Sequence, residues 1–440
     1  MPAPLALLLC TAFVLFLLRV ERRASSRVSA ALWIPTLWML LIASKPLAIW
    51  FGVTGDNESG SVLDRLVLLG LAVAGMVVLG RRRFDWSRAL RRHGWLLVLL
   101  VYMLVSTLWS DITFIALKRW IREGIVVIMA LVILSEANPR QALESILRRS
   151  AYILIPFSLM LIKYYPALGA SYGRWSGTQM WIGVTVHKNT LGHLCLISAF
   201  FLFWALYRRW REPAQAGGRI QGWADVSVFL ITLVLFKGAD NAFSATSVGT
   251  FAVGIATCLG LLWLRKLRLK VPQPALLLLV ILFIVFGASA PFLGGSNLRP
   301  FNSTFGRDET LTGRTEVWQA LVPLAMGQPV FGYGFGSFWT TARQDLYEIN
   351  YAHNGYLDIL LTLGAVGLAF YTFWLLSCVR KLHGALAQDY DWACLAICFL
   401  VMAVVYNATE SALDSLAGFM TAVPVLASFV ASSRMIPASR

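Results

Sequence analysis

Residues 274–290 read PALLLLVILFIVFGASA and contain no charged side chain. As a helix, a stretch of this length approaches the roughly 30 Å thickness of a bilayer's hydrocarbon core. The basic segment RKLRLK lies just before it at 265–270, and basic residues mark the cytoplasmic ends of membrane spans. The two segments together predict a transmembrane helix that enters the membrane from the cytoplasmic side.

Similar apolar runs recur along the 440 residues of the chain. The composition is 58% hydrophobic and 14% charged, whereas a soluble domain carries about 25% charged residues. We therefore predict an all-α polytopic membrane protein with about 12–13 transmembrane helices. The predicted spans are residues 3–19, 30–52, 62–80, 94–110, 121–136, 151–163, 190–207, 226–237 (the weakest), 247–264, 274–290, 355–378, 392–407 and 413–431.

The net charge of +16 does not indicate nucleic-acid binding, because most Arg and Lys residues lie in short segments between the apolar runs. This distribution fixes the orientation of membrane proteins, since basic loops are retained in the cytoplasm. It predicts an uncleaved first span with its N-terminus outside. The predicted cytoplasmic loops are 19–27, 81–92, 140–149, 208–219, 265–270 and 380–381, and the predicted outer loops are 53–61, 164–189, 238–246 and 291–354.

One outer segment, residues 291–354, is longer and more polar than the others. Loops of this length usually have a function or a structure of their own. Thr312 is the expected N-cap of a short helix at about 314–326. We divide the chain into an N-terminal transmembrane bundle (1–290), the large outer loop with its short helix, and C-terminal transmembrane helices (355–440).

Four cations lie at the outer ends of predicted spans, where the positive-inside pattern does not expect them. They are Lys118, Arg119 and Arg122 in LKRWIREG and Lys188 in VHKNTLG. Cations that face the interior of a bundle at this level could bind a phosphate or diphosphate group. The alternative is that the topology differs locally and that these are ordinary cytoplasmic anchors.

The outer segment and the span that follows it contain further candidates. Arg314 is near the start of the predicted helix, where a guanidinium and free N–H groups could hold a phosphate; a solvated surface pair with Glu316 is the alternative. His353 could act as a general base near neutral pH, or it could be structural. Asn354 and Asp358 are four residues apart and could orient a sugar hydroxyl or the imidazole. A carboxylate one turn inside a span is a functional candidate by default.

Several motifs of cofactor chemistry do not occur in the sequence. No G-x-x-x-x-G-K-[ST] segment supports ATP hydrolysis, and GYGFG at 332–336 is better interpreted as tight turns than as a dinucleotide site. The six cysteines lie in or at the edge of apolar runs without metal-ligand spacing to histidine, which predicts small core residues. We expect no metal and no cofactor.

Three segments together resemble the O-antigen ligase and polysaccharide polymerase family of bacterial inner membranes. They are TGRTEVW (312–318), GYGFGSF (332–338) and AHNGYLDILLTLGAVG (352–367), and LKRWIREG (117–124) and VHKNTLG (186–192) match more weakly. The order and spacing of these segments carry the resemblance. It covers most of the chain, and residues 291–410 form its core region.

The resemblance implies a C-type glycosyltransferase-like fold in the inner membrane, with the large loop and the active site facing the periplasm. It implies a glycan donor carried on undecaprenyl diphosphate and an acceptor hydroxyl on a polysaccharide or on lipid A–core, without a nucleotide sugar or a metal. By the matching motifs, His353 and Arg314 would be catalytic. The remaining candidates would bind substrate, namely Lys118, Arg119, Arg122, Lys188, Asn354 and Asp358.

Two reactions share these features. A ligase moves the finished polysaccharide to lipid A–core, whereas a polymerase moves a growing chain to the next lipid-linked repeat unit, and VHKNTLG is slightly closer to exopolysaccharide polymerases. Membrane lipids are expected partners, and the participation of a chain-length regulator stays open. The contrasting class is a transporter or flippase of lipid-linked sugars, which would not need a 64-residue outer loop and often shows an inverted repeat that we do not find here.

Overall fold

The computed structural model describes residues 1–25, 28–53, 60–82, 84–172, 177–211, 218–239, 243–293, 314–347, 351–412 and 415–433. Thr312, the expected helix N-cap, lies outside these ranges. Within them the chain is almost entirely helical and contains one small antiparallel sheet.

The described elements follow the apolar runs of the sequence. The first half contains α1 (Ala3–Ala24), α2 (Trp33–Ile42), α3 (Leu47–Phe51), α4 (Val62–Arg81), α5 (Trp86–Arg91), α6 (Gly94–Ser106), α7 (Thr113–Leu134), α8 (Pro139–Tyr164), α9 (Pro166–Gly169) and the paired strands β1 (Ala170–Tyr172) and β2 (Gln179–Trp181). The second half contains α10 (Lys188–Arg211), α11 (Arg219–Lys237), α12 (Ala245–Lys266), α13 (Gln273–Ser289), α14 (Arg314–Gly327), α15 (Thr341–Tyr347), α16 (Gly355–Leu386), α17 (Tyr390–Tyr406) and α18 (Phe419–Ser433). Short 3₁₀ turns lie at Ala30–Leu32, Thr107–Trp109 and Ala290–Phe292.

Eight of the described helices are long and apolar enough to cross a membrane: α1, α4, α8, α10, α11, α12, α13 and α16. Four shorter apolar helices lie at Ala30–Ile42, Gly94–Trp109, Tyr390–Tyr406 and Phe419–Ser432. The 22-residue helix α7 carries its cations near its first turns. A helix lies at every predicted span, so the predicted all-α polytopic membrane protein is confirmed.

The helices form a buried centre and a periphery. In α8 and α10, 83% and 72% of the apolar stretch is buried, whereas the values are 22% for α1 and 17% for α4. The peripheral helices therefore present large apolar side chains on the outside, such as Leu8 and Leu66. A surface of this kind suits contact with hydrocarbon rather than water.

The basic turns meet at one end of the bundle, which we call the basic end. Arg82 contacts Glu136 at 2.9 Å, and Arg140 contacts Asp389, which directly precedes α17, at 2.7 Å. Lys381, near the end of α16, lies 3.0 Å from His93. Helix α16 runs from Gly355 to Leu386, and its residues 365–386 alone would be roughly 33 Å long, so the residues before it lie at the other end.

Two predicted cytoplasmic loops are helical instead. Residues 140–149 form the first turns of α8, and residues 380–381 belong to the last turns of α16. The basic residues of α8 are accommodated inside the bundle because neighbouring helices supply acidic partners; for example, Arg148 Nε lies 3.1 Å from Asp225 Oδ1 on α11. A buried cation is tolerated when it is paired in this way. The weakest predicted span is a regular helix of 19 residues, α11.

Helix α16 breaks at Gly364, whose φ of 65° is left-handed. The segment before α15 enters this break: the N–H of Ala365 donates to the carbonyl of Pro329 at 2.8 Å, and the N–H of Tyr333 donates to the carbonyl of Leu361 at 2.9 Å. A Cβ on Gly332 would lie 2.6 Å from the backbone nitrogen of Gly364. Glycine is required at both positions, which explains part of the GYGFG pattern.

Helix α14 covers residues 314–327, in agreement with the helix predicted at 314–326. It packs on the first turns of α16 through a small apolar cluster of its own. The cluster contains Trp318, Leu321, Phe338, Leu357 and Leu361, all buried. The outer segment is thus fixed to the membrane bundle next to residues 351–354.

Candidate functional site

A buried carboxylate, Glu410, joins three of the sequence motifs at the end opposite the basic end. Glu410 is 3% exposed and lies in the turn between α17 and α18. Its Oε1 accepts a hydrogen bond from Asn189 Nδ2 at 2.7 Å and pairs with Arg314 Nη2, while its Oε2 lies 3.2 Å from Nδ1 of His353. VHKNTLG, TGRTEVW and AHNGYLD therefore converge on one carboxylate. We call these four residues the Glu410 cluster.

The cluster holds an ionised carboxylate. Burial alone would raise the pKa of the Glu410 carboxyl, but the hydrogen bond with His353 and the positive charge of Arg314 outweigh burial and lower this pKa below its usual value. Arg314 is 6% exposed. The alternative of a solvated pair with Glu316 is therefore wrong, because a buried ion pair with Glu410 replaces it.

His353 has an unusual backbone conformation. Its φ is 51°, and a non-glycine residue held in a sparsely populated region of this kind costs about 1–3 kcal/mol and often marks a functional site. Its side chain is 29% exposed. Within the described ranges, Nε2 of His353 has no hydrogen-bond partner.

Asn354 is the N-cap of α16 rather than a residue on its face. Its Oδ1 accepts hydrogen bonds from the N–H groups of Tyr356 and Leu357 at 3.0 and 2.9 Å, and its Nδ2 donates to the carbonyls of Gly287 and Ala408 at 2.8 and 3.0 Å. The side chain is fully buried. These contacts fix the residue directly after His353, and a substrate contact by Asn354 stays a prediction.

Asp358 fixes the other side of the same turn. Its carboxylate, 1% exposed, accepts hydrogen bonds from Trp339 Nε1 at 2.8 Å, from the N–H of Ala352 at 3.3 Å and from the Ser411 hydroxyl. The N–H group of the residue before His353 is thereby held in place. Substrate binding by Asp358 also stays a prediction, whereas its contact with the N–H of Ala352 is structural.

The three cations of α7 lie along its first turns. Arg119 Nη1 donates to the carbonyl of Gly336, and Lys118 Nζ lies 4.3 Å from the centre of the Phe114 ring. Arg122 is half-exposed and lies 3.6 Å from the buried Glu123. Arg119 thus connects α7 to the GYGFGSF turn, and the phosphate-binding role of these cations stays a prediction.

Lys188 begins α10, directly before Asn189 of the cluster. His187, the residue before it, accepts a hydrogen bond from the N–H of Asn189 at 3.3 Å. Burial lowers the pKa of His187; Glu410 opposes this shift, whereas Lys188 and His353 add to it. His187 is therefore neutral at pH 7, and the positive charge at this position comes from Lys188.

Sequence reasoning missed Glu410, Asn189 and His187 as members of the site. The sequence signal for Glu410 was an acidic residue between two apolar spans, in NATES, and the signal for Asn189 was the polar HKN at the start of a span. Neither of these two local segments reveals its partner, because the contact between Asn189 and Glu410 joins residues 221 positions apart.

An aromatic groove of about 530 Å³ lies beside the GYGFGSF turn. In this groove, Arg343 Nη2 lies 2.9 Å from Asp111 Oδ2. The Arg343 guanidinium lies over the Tyr333 ring, 4.9 Å from the ring centre. The groove combines aromatic faces with hydrogen-bonding groups, a composition that suits sugars. It is lined by Trp109, Asp111, Gln328, Phe331, Gly332, Tyr333 and Arg343.

One group of thiols has the geometry of a metal site. The sulfur atoms of Cys258, Cys394 and Cys398 lie within 4.8 Å of one another, buried between α12 and α17. Cys394 and Cys398 lie in the first half of α17, whereas Glu410 follows its last residue. The three thiols are therefore separate from the Glu410 cluster. The expectation that the protein has no metal stays a prediction.

These features define a polytopic all-α membrane protein with a candidate active site at the end opposite its basic turns. Residues 242–372, which include Arg314 and His353, match the family model described as O-Antigen ligase. The chain is also similar to the exopolysaccharide production protein ExoQ of Rhizobium meliloti (strain 1021), with 25% identity over 330 residues that cover 70% of each chain. The two matches confirm the predicted resemblance to the O-antigen ligase and polysaccharide polymerase family.

Proposed function

We propose that the protein is a periplasm-facing glycosyltransferase of cell-surface polysaccharide synthesis. It transfers or polymerises glycan from an undecaprenyl diphosphate-linked donor onto a sugar hydroxyl, with inversion and without a metal. The observation that supports this proposal is the Glu410 cluster. In it, a half-buried histidine, whose Nε2 has no hydrogen-bond partner among the described residues, is held by an ionised carboxylate next to a buried arginine.

The chemistry assigns a distinct task to each member of the cluster. Nε2 of His353 takes the proton of the acceptor hydroxyl, while the hydroxyl oxygen forms a bond to the anomeric carbon. The bond from that carbon to the diphosphate oxygen breaks, and the diphosphate leaves with the electron pair. Glu410 orients the imidazole through Nδ1 and stabilises the imidazolium that forms. Attack from the face opposite the leaving group inverts the anomeric centre.

The leaving diphosphate gains negative charge, which nearby cations stabilise. Arg314 uses Nη2 for Glu410 and can direct its other N–H groups to a phosphate oxygen. Lys188, beside Asn189, adds a second positive charge to the same region. The cations at the start of α7 extend the positive surface towards the GYGFGSF turn.

The aromatic groove supplies a place for the glycan. Trp109 and Phe331 are exposed there and can stack on sugar faces, while Asp111, Gln328 and Arg343 can bond sugar hydroxyls. ExoQ is described as an exopolysaccharide production protein, which favours a polymerase over a ligase. The acceptor is then the next lipid-linked repeat unit rather than lipid A–core.

The test replaces His353 by Ala in cells and compares the glycans with those of a His383→Ala control. His383 lies at the basic end, where its ring contacts the carbonyl of Val271 at 2.8 Å. We expect normal membrane insertion of both variants and loss of polysaccharide only in His353→Ala. Single repeat units on the lipid carrier would identify a polymerase, and full-length chains on the carrier would identify a ligase. Unchanged polysaccharide output from His353→Ala would contradict the proposal.

A further inference from the structure

Three buried thiols meet between α12 and α17, separate from the Glu410 cluster. Cys394 and Cys398 are four residues apart on α17 and share one face of that helix, and Cys258 approaches them from α12. Cys394 Sγ lies 3.8 Å from Cys258 Sγ, and all three sulfur atoms lie within 4.8 Å of one another. Each residue is at most 1% exposed. We call these three residues the thiol cluster.

The separations between the sulfur atoms suit one shared metal ion. The distance from a thiolate sulfur to its metal is about 2.3 Å, so three sulfur atoms in a plane around one ion lie about 4.0 Å apart. The thiol cluster therefore needs only small side-chain shifts to bind an ion. A disulfide, in contrast, joins two sulfur atoms at about 2.0 Å and would leave the third thiol unused.

A thioether sulfur continues the row of thiols along α17. Met402 is one turn beyond Cys398 and is fully buried. Its Sδ lies against Gly254, at the point where a Cβ on that glycine would clash with it. Gly254 is in turn one turn before Cys258 on α12. The contact between the two helices is therefore rich in sulfur, and thiol and thioether ligands select soft ions such as Cu(I).

The ligand set and its surroundings favour Cu(I) over Zn²⁺. Structural zinc sites have four strong ligands, whereas the described residues supply three thiols here, without a histidine or a carboxylate. The ring of Phe200, from α10, also packs next to Gly254, so the surroundings are apolar and uncompensated charge is costly. One thiolate neutralises Cu(I), whereas Zn²⁺ requires two, and each thiolate that forms releases one proton.

The thiol cluster lies near the basic end of the bundle. Asp391, one turn before Cys394, pairs with Arg265 of α12 at 2.7 Å. The Tyr390 hydroxyl donates to the carbonyl of Leu261, also on α12. The positive-inside pattern predicts that this end is cytoplasmic. Thiols stay reduced in that compartment, and copper is then present as Cu(I).

We propose that the thiol cluster binds one Cu(I) ion. Cys258, Cys394 and Cys398 supply the sulfur ligands, and the ion joins α12 to α17. The proposal departs from the prediction that the protein has no metal, because helix packing brings together Cys258 and Cys394, which are 136 positions apart. The site is separate from the proposed glycosyltransferase reaction, which requires no metal.

Copper binding by the purified, reduced full chain in detergent tests the proposal. The chain is loaded with Cu(I) in the presence of ascorbate, exposed to a Cu(I)-chelating dye and desalted, and the copper per chain is measured. We expect one Cu(I) per chain, together with the ultraviolet absorption of a thiolate–copper bond. A parallel loading with Zn²⁺, against a zinc-chelating dye of matched affinity, should leave no bound metal. Loss of the copper to the dye, or equal retention of Zn²⁺, would overturn the proposal.

Three variants assign the ion to the thiol cluster. Cys394→Ser and Cys258→Ser each remove one sulfur with little change in size, and each should bind Cu(I) at least about tenfold more weakly. Cys195→Ser removes a buried thiol of α10 outside the cluster and should retain one Cu(I). Cu(I) should raise the unfolding temperature of wild type and Cys195→Ser more than that of the two cluster variants. Equal copper retention by all three variants would show that the ion binds elsewhere and would overturn the proposal.

Discussion

Glu410 holds His353, Arg314 and Asn189 at once, although it carries a single negative charge. Each partner comes from a different part of the chain, so the carboxylate fixes their relative positions. His353 in turn depends on Asp358 and Asn354, which hold the backbone on both sides of it. At this scale the site consists of one partly exposed side chain, His353, and several buried groups that position it.

Replacing Glu410 by Gln should reduce glycan transfer at least about 100-fold, because His353 loses the carboxylate that orients its ring. The amide cannot stabilise the imidazolium, although it keeps the size of the side chain. Transfer from a lipid-linked donor in isolated membranes measures the effect. Glu316→Gln, an exposed change on the neighbouring helix α14, is the control. A Glu410→Gln variant as active as this control would contradict the role assigned to the carboxylate.

The stability contributed by Glu410 should depend on pH in a defined direction. Its folded pKa lies below the ordinary value of 4.5, so its stabilising contribution is complete above the unfolded pKa and is lost as the pH falls through the folded pKa. Glu410→Gln leaves Arg314 buried without its anion, a loss of about 3–5 kcal/mol. The difference in unfolding temperature between wild type and Glu410→Gln should shrink as the pH falls below about 4.5. A difference that keeps its full size at still lower pH would contradict the contribution assigned to the carboxylate.

At the scale of elements, α16 and the GYGFGSF turn form one unit. The break at Gly364 frees carbonyl and N–H groups of α16, and the segment at 329–333 bonds to them. The hydropathy of residues 355–378 predicted a continuous span and gave no indication of this break. The glycine at the break can be identified in the local sequence, but the segment at 329–333 that bonds to the break cannot.

Gly364→Ala should destabilise the protein by about 2–4 kcal/mol, since it combines a left-handed residue with overpacking. Its Cβ would lie 2.3 Å from the carbonyl oxygen of Val330. Gly70→Ala, in α4, is the matched control because a Cβ there meets no atom within 4 Å. Thermal unfolding in detergent should show a large decrease for Gly364→Ala and little change for Gly70→Ala. Similar unfolding temperatures for the two variants would mean that the break tolerates a side chain.

At the scale of the whole molecule, the bundle has two chemically different ends. The basic turns lie at one end and pair with a few acidic residues there. The Glu410 cluster, the aromatic groove and the start of α16 lie at the other. If the basic end is cytoplasmic, as the positive-inside pattern predicts, the cluster faces the periplasm.

Cysteine labelling tests this orientation. Glu316→Cys and Arg91→Cys place a thiol at exposed positions of opposite ends, whereas the native cysteines are buried or half-buried. In cells with a permeabilised outer membrane, a membrane-impermeant maleimide should label Glu316→Cys directly and Arg91→Cys only after lysis. The reverse pattern would place the Glu410 cluster in the cytoplasm, where a periplasmic transferase cannot have its site.

The sequence by itself determined the all-α membrane architecture, the positions of the spans and the short outer helix. These properties depend on hydropathy, charge and spacing along the chain, which are local. The sequence did not determine that residues 140–149 are helical, because their charges are compensated by acids on other helices.

Only the tertiary structure selected Glu410 from the 22 acidic residues of the chain. Its contacts with Arg314, His353 and Asn189 join residues 96, 57 and 221 positions apart. Burial and ion pairing over such separations depend on how the helices pack, and packing decides which charges meet.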